Sequence, residues 1–199
     1  MTIEGARSAI VEPAQAAGNF QTPDFCYTTA ALDKLLYYLQ DGEERRVEGI
    51  LLQMLCEHYE RKLVEGENIR LLDLEQIGNP EQIIKKYYHE KVNDLPPTQQ
   101  LTARLLIEEG LVSDGKAMRL SLHESYILQK FGVKRNLLDH LINSRLLRSE
   151  PFLRGGYTDE LSHDRLVSPV LQARSQRRME EAQREAELRQ KELESTRKR

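Results

Sequence analysis

The sequence predicts a mainly α-helical protein: a helical domain, then a domain mixing helices with short strands, then a long charged helix. Three observations point there. The 199 residues are 39% hydrophobic but only 6% aromatic, with no Trp, so Leu, Ile and Ala must fill the core, and Leu and Ala in particular favour helices. Apolar residues recur at three- and four-residue spacing along several stretches. The last part of the chain, MEEAQREAELRQKELESTRKR, is dominated by charged residues.

Residues 1–28 read as an irregular lead-in, rich in Gly, Ala, Pro and Gln, that contains the short piece AIVEPA. A helical domain follows over 29–95. Its first helix carries Leu32, Leu35, Leu36 and Leu39 on one face, with Thr28 or Thr29 as cap and Asp41-Gly42 as stop. A second places Val47, Ile50, Leu51, Met54, Leu55 and Tyr59 together and ends near Glu65-Gly66. A third, of weaker period, runs through Ile83, Ile84, Tyr87 and Tyr88. The run Asn93-Asp94-Leu95-Pro96-Pro97 then interrupts the chain, because proline cannot continue a helix and restrains the residue before it.

The second domain spans 96–165. Leu101, Leu105, Leu106 and Ile107 suit a helix ending at Gly110, and 119–122 alternates like a short strand. Residues 124–131 form a helix ending at Gly132, and 134–144 another, with Leu137, Leu138, Leu141 and Ile142 on one face. Two strands, 146–152 and 157–163, are joined through Arg154-Gly155-Gly156. Helix, strand, helix, helix, strand, Gly-rich turn, strand is the order of a winged helix. From Asp164 on, 166–199 reads as one long helix, solvated and held by Glu–Arg and Glu–Lys pairs. A coiled-coil seam through Met179, Ala182, Ala186 and Leu193 is the other reading, and it would make a homo-oligomer.

Acidic residues outnumber Lys plus Arg by 32 to 29, so no global basic excess marks a nucleic-acid binder. The helix KRNLLDHLINSRL offers Lys134, Arg135 and Arg145 but also Asp139, a thin field for phosphate contacts, and DNA is not the expected partner. Cys26 and Cys56 lack the spacing of a zinc site or a disulfide framework, which fits a reduced, cytoplasmic setting. No stretch approaches the ~20 apolar residues of a membrane span.

The stretch GLVSDGKAM places Gly110, Gly115 and Lys116 at Walker A spacing, but Ala117 stands where the Mg-binding hydroxyl belongs. A helix precedes it and a strand follows, the reverse of a P-loop, so a helix end and a turn at Asp114-Gly115 are expected. In HEKVN, His89 and Glu90 resemble a zinc motif that lacks its second His, Asn93 standing there instead. His58, His123 and His140 have no ligand partners at suitable spacing. In ELSHDRLV, His163 ends the last strand and Asp164 stands where a carboxylate would cap the long helix.

The segments LLIEEGLVSDGKAMRLSLHES and LLDHLINSRLLRSEPFLRGGYTDELSHDRLVSPVLQARSQRR resemble the C-terminal part of bacterial STAND-class P-loop ATPases, signal-transduction relatives of AAA+ proteins. AIVEPA, FQTPDFCYT and VEGILLQMLCEHYE extend the resemblance to roughly residues 8–178. It implies a nucleotide-binding core, then an AAA+-type helical lid at 29–95, then a winged helix. It also implies that His163 and Asp164 form a cofactor-binding motif, with His163 facing the β-phosphate of ADP. Two departures matter. Glu48-Gly49-Ile50-Leu51 stands where relatives carry an adenine-packing proline, and Walker A and B strands are absent. The 199 residues are therefore expected to have no enzyme activity or cofactor of their own. In a complete protein, an upstream P-loop core would supply ADP or ATP with Mg. The resemblance thus implies a regulatory lid and winged helix that stabilise an ADP-bound off state. The alternatives are a winged-helix DNA-binding regulator dimerising through its C-terminal helix, and an interaction adaptor without nucleotide.

Overall fold

Residues 3–14, expected to be irregular, form helix α1 (Ile3–Ala14) in the computed structural model, which describes all residues except Ala17, Asn19, Gln21, 42–45, 66–69, Asp114, Lys198 and Arg199. The Thr2 hydroxyl caps the helix by accepting from Gly5 N at 3.1 Å, and Ala6, Ile10 and Ala14, four residues apart, bury one face. Pro13 sits in the last turn and brings no N–H for the carbonyl four residues back, so α1 goes without that bond.

The chain forms two compact units, Met1–Tyr87 and Tyr88–Arg199. In the first, α2 (Thr29–Leu39) starts at Thr28, whose hydroxyl accepts from Ala31 N at 3.2 Å. The next helix, α3, runs Gly49–Glu65 rather than from Val47, because Val47 pairs with Gln40 in a small antiparallel ladder of β2 (Gln40–Asp41) and β3 (Arg46–Val47). The stops expected at Gly42 and Gly66 lie outside the described residues. A parallel pair, β1 (Cys26–Tyr27) with β4 (Leu71–Leu72), ties the start of α2 to α4 (Leu74–Ile77), which is closed by a capping box between Asp73 and Gln76. Leu35, Leu36, Leu39, Leu51, Met54, Leu55 and Tyr59 make the core, and the Tyr59 hydroxyl donates to Ile77 O at 3.1 Å.

Helix α5 (Pro80–Asn93) contains the division between units. Two adjacent side chains explain this: Tyr87 donates to Glu57 at 3.5 Å, whereas Tyr88 donates to Glu108 at 2.6 Å.

In the second unit the expected element order is present. Helix α6 (Pro97–Leu105) begins with Pro97 in its first turn and continues into one π-helical turn, Leu106–Gly110. The strand expected at 119–122 is displaced: Arg119 makes only an isolated bridge to Val112, and β5 is Leu122–His123. Then follow α7 (Glu124–Lys130), Gly132 at φ +63°, and α8 (Arg135–Asn143), which buries Leu137, Leu138 and Leu141. Strands β6 (Leu147–Pro151) and β7 (Tyr157–Leu161) join through Gly155 and Gly156, both at positive φ, as the double glycine suggested. The sheet is antiparallel, ordered β5-β7-β6, with Asp159 opposite both Leu122 and Ser149. A 3-10 turn, Asp164–Leu166, leads into α9 (Val167–Arg197), about 46 Å long at 1.5 Å per residue. Val167, Val170, Ala173 and Arg174 are buried, while 178–193 are exposed. Among the described residues no helix is long and apolar enough to cross a membrane.

Ala117 adopts φ +44°, a left-handed conformation that costs a residue with a Cβ about 1 kcal/mol. Ala117→Gly should therefore raise the stability of the full chain by about 0.5 kcal/mol in urea unfolding, and a loss would contradict this strain.

Candidate functional site

The base of α9 is built around a buried carboxylate. The π turn carries Glu108 among Leu106, Ile107 and Leu111, all fully buried, and the glutamate itself has no exposure to solvent. Its oxygens accept from the Tyr88 hydroxyl at 2.6 Å and from Arg177 Nε at 2.6 Å, while Arg174 Nη1 donates to Glu108 O at 2.8 Å. Arg177 also binds Glu109 and Glu181, and Arg178 holds Glu109 from the other side. Burial, then the neighbouring Glu108, pushes the Tyr88 phenol well above its ordinary range. Burial works against the Arg177 charge, but hydrogen bonds to Glu108 and Glu181 outweigh it and hold the guanidinium protonated. Burial likewise opposes Glu109 ionisation, and the hydrogen bonds from Arg178 and Arg177 overcome it, holding this carboxyl below its usual value.

The second cluster lies where β7 hands over to α9. His163 is 7% exposed, and its Nδ1 accepts from Arg165 N at 2.9 Å. The histidine is thus the N-cap of the 3-10 turn, a role expected of Asp164. Asp164 is diverted by Arg119, which grips it through two bonds of 2.7 and 3.2 Å; the aspartate side chain is 73% exposed. Arg119 also donates to Leu161 O at 3.0 Å and pairs with Glu160, which binds Arg148 as well. Ser162 Oγ donates to Arg145 O at 2.6 Å, fastening the strand end to the turn after α8. The two predicted residues are neighbours in the chain but serve different partners.

Gly110 ends the π turn, and a Cβ there would lie 2.7 Å from the Phe131 ring, so close packing explains this glycine. Gly115 and Lys116 lie in a turn, while Asp114 is outside the described residues. His89 is lowered by burial and by Arg104, which favours the neutral imidazole, and among the described residues no three His, Cys, Asp or Glu groups gather as metal ligands. Burial pushes the Cys56 thiol up to about 12, so it is not poised as a nucleophile. On α8, Arg135 binds Glu124 and Asp139. In the first unit, a cleft of about 620 Å³ is lined by Phe20, Phe25, Val64, Asp24, Glu60 and Arg61 among others. Its carboxylates suit a phosphate poorly.

Glu108, Arg174 and Arg177 were not singled out by sequence. The only signal was the juxtaposition of acids and apolar residues in LLIEEG and of paired arginines in QRRM.

Removing one member of a buried ion pair strands the other, so Glu108→Ala should destabilise the second unit by about 3 kcal/mol in urea unfolding; an effect below about 1 kcal/mol would contradict the anchor. Because the Glu109 value is depressed in the fold, its contribution is present above the unfolded carboxylate value and lost as pH falls through the folded one. Glu109→Gln should accordingly narrow the difference in stability between pH 7 and pH 3; an unchanged difference would rule this contribution out. No family model, curated protein or solved structure matches the chain.

Proposed function

We propose that the chain is the regulatory lid and winged-helix region of a STAND-type signalling ATPase, in which residues 96–165 form the winged helix and α9 carries the output. The observation that carries this reading is the position of His163: its ring caps the turn that starts α9, so a contact made by the ring bears directly on the helix. With Nδ1 accepting from Arg165 N, the ring proton sits on Nε2, the atom that would donate to a phosphate. A P-loop core supplied by the same or a parent chain would bring ADP or ATP with Mg to that atom. Asp164, the second residue of that motif, is oriented beside it by Arg119.

The DNA-binding reading is less well supported. Arg135, the cation at the start of α8, is engaged by Glu124 and Asp139 and would have to leave both to reach a phosphate. The exposed part of α9 suits a relay to sensor or effector domains in the cytoplasm, or pairing with a second copy.

Two measurements test the proposal. The purified 199 residues should hydrolyse no ATP, and turnover above background would overturn the assignment. In a chain that includes a P-loop core, His163→Ala should speed ADP release several-fold while leaving the fold intact by circular dichroism; unchanged release would count against the histidine's role.

A further inference from the structure

The middle strand of the three-stranded sheet carries an ionisable side chain on its buried face. Along β7, Asp159 and Leu161 point into the unit, whereas Thr158 and Glu160 are partly exposed. Asp159 is 1% exposed, and neither carboxyl oxygen has a hydrogen-bond partner in good geometry among the described residues. Ser149, directly opposite on β6, offers a hydroxyl that offsets part of the burial without forming such a bond. The other charged groups around it come from the two helices: Glu124 of α7, and Asp139 and Arg135 of α8. Arg135 is the single cation in that set, and Glu124 and Asp139 already bind it. The next strand residue, Glu160, is spent on the other face with Arg119 and Arg148, and His123 of β5 is engaged by Ser125 and by Gly155 O.

We propose that Asp159 is a proton-controlled latch: the closed sheet holds this carboxyl neutral, and loss of its proton loosens the β6–β7 hairpin. A carboxylate in that position would lie beside Glu124 and Asp139 without a well-formed hydrogen bond among the described residues, a cost that Ser149 and Arg135 offset in part and that water reaching the strand would relieve. Burial is the largest effect and favours the protonated form; the Ser149 hydroxyl, next in size, opposes it, followed by Glu124 in favour, Arg135 against and Asp139 in favour. The sign follows. Below the unfolded carboxyl value both states are protonated and no penalty exists; as pH rises towards the raised folded value, stability falls. The hairpin leads straight into Ser162 and His163, so the latch controls how firmly the start of α9 is presented. This inference does not depend on the nucleotide reading.

The test is a carbon-detected NMR titration of the Asp159 carboxyl in the full chain, joined to amide hydrogen exchange of 147–151 and 157–161 between pH 4 and pH 8. Asp159→Asn, which cannot ionise, serves as reference at each pH and cancels the intrinsic pH dependence of exchange. The latch predicts titration above the ordinary Asp range, and hairpin opening that grows several-fold faster in the wild type than in the variant across that titration. Titration at or below the ordinary range would overturn it, and so would a ratio of wild-type to variant exchange that stays flat with pH. Should Asp159→Asn fail to fold, Asp159→Ser serves as the non-ionising reference for the same exchange ratio.

Discussion

A carboxylate sealed from solvent sets the geometry of the second unit. Glu108 receives Arg177 and Tyr88 on its side chain and Arg174 on its backbone carbonyl, so two arginines of α9 and the end of α5 meet at one residue of a π turn. Such a pair adds little stability over well-packed apolar side chains, since desolvation of both charges offsets most of their attraction. What it supplies is position. Arg174, Arg177 and Arg178 lie three and four residues apart on one helical face, and each has a defined acceptor on Glu108 or Glu109. A shift of α9 by one residue would rotate this face away and strand the glutamate.

That constraint gives the rest of α9 its meaning. Because its first turns are held, the exposed stretch at 178–193 extends from the unit in a set direction rather than from a loose joint. Upstream, the same helix is reached through a turn capped by His163 and steadied by Asp164 on Arg119. A strand end, a cap and a buried anchor therefore follow one another within about fifteen residues. For the proposed input at His163 to reach α9 this stretch would need two arrangements, and the proton latch proposed at Asp159 on β7 would be one source of them.

Much of this was legible in the sequence where a single residue has a single local job. Thr28 starts α2, Leu137, Leu138 and Leu141 mark the inner face of α8, and Gly132 and Gly155-Gly156 stand at turns that require positive φ. Helix α1 was hidden because Gly5 and Pro13 read as punctuation, although Ala6, Ile10 and Ala14 already kept a spacing of four. The β1–β4 ladder was invisible because two-residue strands have no period and their partners are far apart in the chain. Glu108 was hidden for a related reason: its burial follows from a π turn, and its partner Arg177 lies 69 residues away. At the strand end, the cap expected of Asp164 falls to His163, since Arg119 draws the aspartate away and leaves the imidazole to accept from Arg165 N.

The most direct test of the anchored helix is native-state hydrogen exchange along α9, read residue by residue at neutral pH. The account predicts one shared, high protection for 167–178 together with 106–110, and a sharp fall beyond about residue 180, where the helix has left its anchor. Uniformly low protection from Val167 onward, or protection in 167–178 far below that of 106–110, would contradict it.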